Sequence, residues 1–110
     1  VSKGSYLGEF EQLVLLAIAH QADGYGVTIL EEIQQRTGRA PAIGAVYATL
    51  ARLEAKGYVR SWLGPATGER GGRAKRHFAL KPAGERALDQ TRRTLERMWH
   101  GLDWPRPEGV

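Results

Sequence analysis

The 110 residues suit a single domain with a single core, and the absence of cysteine excludes a disulfide framework and thiolate chemistry. Three scattered histidines offer no zinc-ligand spacing, and no apolar run approaches the roughly eighteen residues of a membrane span, so a cytoplasmic protein without metal, cofactor or membrane contact is expected. The net charge of +4 is concentrated in residues 41–81, where eight basic groups face two acidic ones for +6, while residues 1–40 hold three basic and five acidic groups and residues 82–110 five of each.

After a short polar lead, Gly8–Ala22 reads as a first helix, with Phe10, Leu13, Val14, Leu16, Ala17 and Ile18 apolar over more than one side. So wide an apolar face implies cover from two directions, by the chain's own core and by a partner subunit. Asp23-Gly24 marks a turn. A second helix is predicted over Gly26–Thr37, with either Val27, Leu30 and Ile33 or Ile29 and Ile33 facing inward and Gly38 as its C-cap. Pro41 biases Ala40 away from helical dihedrals and separates this helix from the next.

The third helix, Ile43–Lys56, organises the chain. Ile43, Val46, Tyr47, Leu50 and Leu53 recur at spacings of three and four, and between them stand small or basic residues, Ala45, Ala48, Thr49, Arg52 and Lys56. A helix anchored on one side and slim on the other can enter the major groove of B-DNA. Two short helices joined by a brief turn and followed by such a third helix form a helix-turn-helix arrangement.

Beyond Gly57, Tyr58–Leu63 and Ala74–Leu80 read as the two strands of a hairpin, with Phe78 and Leu80 on one face and Lys75 and His77 on the other. A hairpin is marginal alone, so Tyr58, Trp62, Phe78 and Leu80 are expected to lean on the helices. The glycine-rich loop between the strands is expected to be disordered without DNA, and Arg70, Arg73, Lys75 and Arg76 would reach the flanking backbone or the minor groove. Pro82 opens a fourth helix to about Leu102, mostly polar, with Leu88, Leu95 and Leu102 seven apart beside Met98 and Trp99. That narrow seam suits lengthwise packing on a helix of a second copy, with packing on the first helix of the same chain as the alternative. The organisation expected is thus a DNA-binding unit over 1–81, a dimerisation helix over 82–102 and a flexible tail over 103–110.

Enzyme chemistry finds no support. Ser2, Ser5 and Ser61 lie outside any nucleophile-elbow pattern, His20, His77 and His100 fall in three different elements, and Gly68–Arg73 lacks the GK[ST] ending of a phosphate loop. DNA contacts are assigned instead to Ala45, Tyr47, Ala48, Thr49, Arg52 and Lys56, with Thr49 donating to a base or a phosphate and Arg52 spanning to a guanine edge or a phosphate. Tyr47 is either a phosphate contact or core, and Lys56 either a contact or a surface residue matching the helix dipole.

Four segments in this order, LGEFEQLVLLAI (Leu7–Ile18), GYGVTILEEI (Gly24–Ile33), IGAVYATLARLEAKGYV (Ile43–Val59) and RAKRHFALKPAGERAL (Arg73–Leu88), resemble the PadR family of bacterial transcriptional regulators. The resemblance implies an α+β winged helix-turn-helix, three helices with a two-stranded β-hairpin wing and a long C-terminal dimerisation helix of the small subfamily. It implies a homodimeric repressor on a palindromic operator in double-stranded DNA, with Phe10, Leu13, Leu88, Leu95, Met98, Trp99 and Leu102 in the dimer contact. It further implies release by an aromatic or drug-like effector, held between Phe10 and Trp99. One departure is Ala42, where the family pattern places a helix-capping serine; losing such a cap costs about 1 kcal/mol. The competing reading is a winged-helix module for protein interaction without specific DNA binding.

Overall fold

The computed structural model describes residues 6–65 and 74–103. In chain order its elements are α1 (Glu9–Ala19), β1 (Gly24–Tyr25), α2 (Gly26–Thr37), α3 (Ile43–Ala55), β2 (Val59–Leu63), β3 (Arg76–Leu80) and α4 (Pro82–Trp99). The strands form one antiparallel sheet in the order β1-β3-β2. The expected hairpin is therefore present but widened, because Gly24 pairs with Phe78 and Tyr25 with His77. A two-residue strand has no periodicity to betray it, and its Asp-Gly start reads as a turn.

Helices α1, α2 and α3 close around Val14, Leu15, Ile18, Ile29, Val46, Leu50 and Leu53, and the sheet seals the core with Val59 and Phe78. Helix starts are secured by different means. Glu11 reaches back to accept from the Gly8 N–H at 2.9 Å, and the Thr28 hydroxyl accepts from the Tyr25 N–H at 3.0 Å. Gly38, at φ 74°, ends α2 in the left-handed region where a side chain would be strained. Helix α3 starts at Ala42 with no side-chain cap, as the alanine there predicts, and its first turn is closed by the Ala42 carbonyl, which accepts from the Ala45 and Val46 N–H groups at 3.0 and 3.3 Å.

The two faces of the sheet differ. Val59, Ser61, Phe78 and Leu80 alternate toward the helices, whereas Trp62 and His77 are cross-strand partners on the opposite side. Trp62 thus does not lean on the helices: its ring stacks on His77 at 5.7 Å, and His77 meets the edge of Tyr25 at 5.6 Å. Period-two alternation puts Trp62 out of register with Val59, which takes the core position. Helix α4 seats only its beginning in this body, burying Gly84 and Ala87; from Arg92 onward it is exposed. The architecture is a winged helix-turn-helix with a projecting terminal helix.

Candidate nucleic-acid interface

At about 100° per residue, the buried residues Val46, Thr49, Leu50 and Leu53 define the inner side of α3. The opposite side carries Gly44, Ala48, Ala51 and Ala55, all exposed, with Ala45 and Arg52 on one flank and Tyr47 and Glu54 on the other. Ala45, Tyr47, Ala48 and Arg52 therefore stand on accessible surface. Thr49 does not, and its assignment as a contact to a base or a phosphate is corrected: it is 2 % exposed, and its hydroxyl accepts from Arg52 Nη2 at 3.0 Å. Three residues on from Val46 is only about 60° around the helix, which turns Thr49 inward. The same count puts Gly44 and Ala51 on the outward side. Ile43 moves the other way, from expected anchor to 38 % exposed.

Tyr47 crosses from α3 to the start of α2. A Cβ on Gly26 would lie 2.5–2.6 Å from the tyrosine ring and hydroxyl, so glycine there is what lets the ring close over the α2 N-terminus. The two helices of the motif are locked by this contact while half of the ring remains accessible.

Lys56 is engaged within the fold. Its Nζ lies 2.8 Å from Glu11 Oε2, tying the end of α3 to α1 across 45 residues of sequence. Burial by itself would raise the Glu11 pKa. Hydrogen bonds from Lys56 and the Gly8 N–H, with the charges of Lys56 and Arg52, outweigh it and hold the carboxyl below its ordinary 4.5. A carboxylate depressed in the folded state takes up protons more readily when unfolded, so the pair stabilises fully above pH 4.5 and its contribution drains away as pH falls through the lower, folded value. Glu11→Gln is expected to lower stability at pH 7 by about 1–2 kcal/mol and to flatten the acid limb of stability against pH. An acid limb as steep as wild type in urea unfolding between pH 3 and 7 would contradict this.

The wing residues divide. Arg70 and Arg73, with the loop expected to be disordered, lie outside the described residues. Lys75 and Arg76 are exposed at the root of β3. Lys75 Nζ sits 4.9 Å from the centre of the Tyr25 ring, and Arg60 lies 4.6 Å over Trp62, giving the outer sheet face a layer of cations on aromatic rings. Arg76 Nη1 donates to Ser61 Oγ at 3.0 Å, and Ser61 donates to Glu54 Oε2 at 2.7 Å. Sequence reasoning does not find Glu54 and Ser61, since an acid and a serine in a basic segment carry no motif.

On the far side of the molecule, α1, β3 and α4 bound an open groove of about 740 Å³, with Leu16, Leu80, Leu88, Leu95 and Trp99 among its lining. Phe10 is not among the residues that line it within one chain. Phe10, Leu13 and Leu88 are half-buried against the core, whereas Leu95, Met98, Trp99 and Leu102 are exposed. Among the described residues, no group of acidic or histidine side chains could hold a metal, and no helix is long and apolar enough to cross a membrane.

Comparison with known proteins agrees with this architecture. Residues 15–90 match the model of the transcriptional regulator PadR-like family. A transcriptional regulator of Mycobacterium tuberculosis is 36 % identical over 94 residues, covering 82 % of this chain and 83 % of the relative. An uncharacterised 37.1 kDa transposon protein of Streptomyces fradiae is 38 % identical over 90 residues, which cover 80 % of this chain but only 23 % of that protein. The structure of Bacillus subtilis PadR in complex with operator DNA superposes with a TM-score of 0.64 at 16 % identity, over 93 % of this chain and 52 % of that one. The chain belongs to the PadR-like family of transcriptional regulators, and is therefore a regulator rather than an enzyme.

Proposed function

We propose that the protein is a homodimeric, sequence-specific DNA-binding repressor of nearby genes, acting in the cytoplasm. The observation that carries this reading is the outward side of α3: a slim strip of Gly44, Ala48 and Ala51, flanked by exposed Tyr47 and Arg52, beside the basic wing. Such a strip admits close approach to base edges, alanine methyls can meet thymine methyls, and Arg52 spans to a guanine edge or a phosphate. Lys75 and Arg76, with Arg70 and Arg73, supply the phosphate contacts that fix register. The Bacillus subtilis neighbour with operator DNA supports the partner class. One α3 reads one half-site, and a second copy joined through α4 would place its own about 34 Å away on a palindromic operator. An aromatic or drug-like effector seated against Trp99 in the α1–α4 groove would release the complex by shifting that spacing.

An electrophoretic shift on the gene's own upstream region, with salt dependence, tests the proposal. Specific binding should weaken steeply with salt. Replacing Arg73, Lys75 and Arg76 by alanine should weaken binding to every sequence and reduce the slope by about 0.9 for each phosphate that is no longer neutralised. Absence of any shift at low salt would leave the protein-interaction module as the better reading.

A further inference from the structure

The one acid on the outward half of α3 is placed where a DNA-binding surface is least expected to carry one. Glu54 occupies the last turn of the helix, where the macrodipole disfavours an anion, and stands on the flank that faces β2. It is not paired with a lysine or arginine among the described residues. Its carboxylate instead accepts from the Ser61 hydroxyl at 2.7 Å, and that same oxygen of Ser61 accepts from Arg76 at 3.0 Å. Ser61 thereby uses its single donor toward the acid and a lone pair toward the cation. The chain Glu54–Ser61–Arg76 joins the end of α3 to the root of β3, across β2, and leaves the guanidinium facing a carboxylate through one hydroxyl.

We infer that Glu54 is a positioning residue that, through Ser61, holds Arg76 at the wing root and limits the charge-driven component of DNA affinity. This rests on the DNA-binding reading above. The carboxylate acts through Arg76, which it attracts toward β2 by way of Ser61 and so withholds from a phosphate approaching the junction of α3 and the wing. Sequence-independent affinity falls as Arg76 is held back, while the contacts of the α3 strip to base edges are untouched. Operator and random duplex share this electrostatic part, so both are weakened alike and the difference between them, which is the specificity, is left to the base-reading contacts.

The test uses the full chain on its upstream region and on a random duplex of equal length. Glu54→Gln keeps an acceptor for Ser61, removes the charge, and relieves the helix end, so the variant is expected to fold; its melting curve checks this. It should bind both duplexes about three- to tenfold more tightly at low salt, with a salt slope steeper by about 0.9 and an unchanged ratio between them. In the double variant Glu54→Gln/Arg76→Gln the gain should disappear relative to Arg76→Gln alone. A folded Glu54→Gln variant with wild-type affinity and slope overturns the inference, as does a gain that survives in the double variant. Failure of the wild-type chain to shift any duplex defeats the DNA-binding reading itself and this inference with it, whereas a binding wild type with an indifferent variant defeats this inference alone.

Discussion

Replacing Gly84 by alanine is expected to cost about 2–3 kcal/mol and to lower the melting temperature by roughly 10–20 °C. Gly84 sits in the first turn of α4, buried against the junction between α3 and β2. A Cβ there would fall well inside 3.0 Å of the Tyr58 carbonyl oxygen, with the carbonyl carbon at 3.1 Å and Tyr58 Cα at 3.3 Å. The obstacle is backbone, so no rotamer change relieves it. That carbonyl already accepts from the Lys81 N–H at 2.9 Å, and moving it breaks the bond that seats the start of α4. Gly44→Ala is the matching control: it lies in the first turn of α3 with nothing within 4 Å of its would-be Cβ, and stability should hold or rise slightly. A Gly84→Ala melting curve within a few degrees of wild type would show that α4 is not fixed to the body at this point. The contact also bears on function, because the angle at which α4 leaves the domain sets where a second copy can stand.

The helices are legible in the sequence because each carries its own periodicity and its own stop. Gly38 and the Pro41 break bound α2 and α3, and Pro82 opens α4 at the residue where the helix begins. The third strand is not legible: β1 is two residues long and exists only because β3 lies beside it. The same division runs through the candidate site. Ala45 and Ala48 can be assigned from spacing alone, since small residues facing outward leave a local signature. Thr49 is legible by its angle on the helix and misleading by its polarity, and the angle decides. Lys56 is not, because its partner Glu11 is 45 residues away and polar pairing across a core has no period. Glu54 and Ser61 escape for the same reason: their meaning lies in a chain of hydrogen bonds across three elements, joined only after folding.

Leu95→Glu is expected to convert the proposed dimer to a monomer at micromolar concentration and to weaken operator binding by about 10²–10³-fold, leaving the helical content of the chain unchanged. The seam of Leu88 and Leu95 runs outward from the body: Leu88 packs against the core and Leu95 is 49 % exposed. Helix α4 ends at Trp99, short of the expected Leu102, which is 54 % exposed beyond Gly101 at φ 87° and does not continue the helical seam. Met98 and Trp99, between them, are 75 % and 55 % exposed, and Leu16 on the facing side of the groove is 46 % exposed. Leu16, Leu95 and Trp99 line the groove, and with the exposed Met98 and Leu102 nearby in the chain they are more than scattered surface residues require; cover by a second copy stabilises at about 25 cal/mol per Å². A glutamate at Leu95 costs a lone chain little, because the position is already half in solvent. In a two-fold dimer the substitution enters the contact twice, so two carboxylates lose water near one another and the penalty doubles. With the dimer gone, each α3 meets its half-site alone and the linkage between the two binding events is lost. Sedimentation and an operator shift measured on the same preparation decide the matter. A Leu95→Glu chain that still sediments as a dimer places the interface elsewhere, and a monomer with wild-type operator affinity removes the need for two-fold recognition altogether.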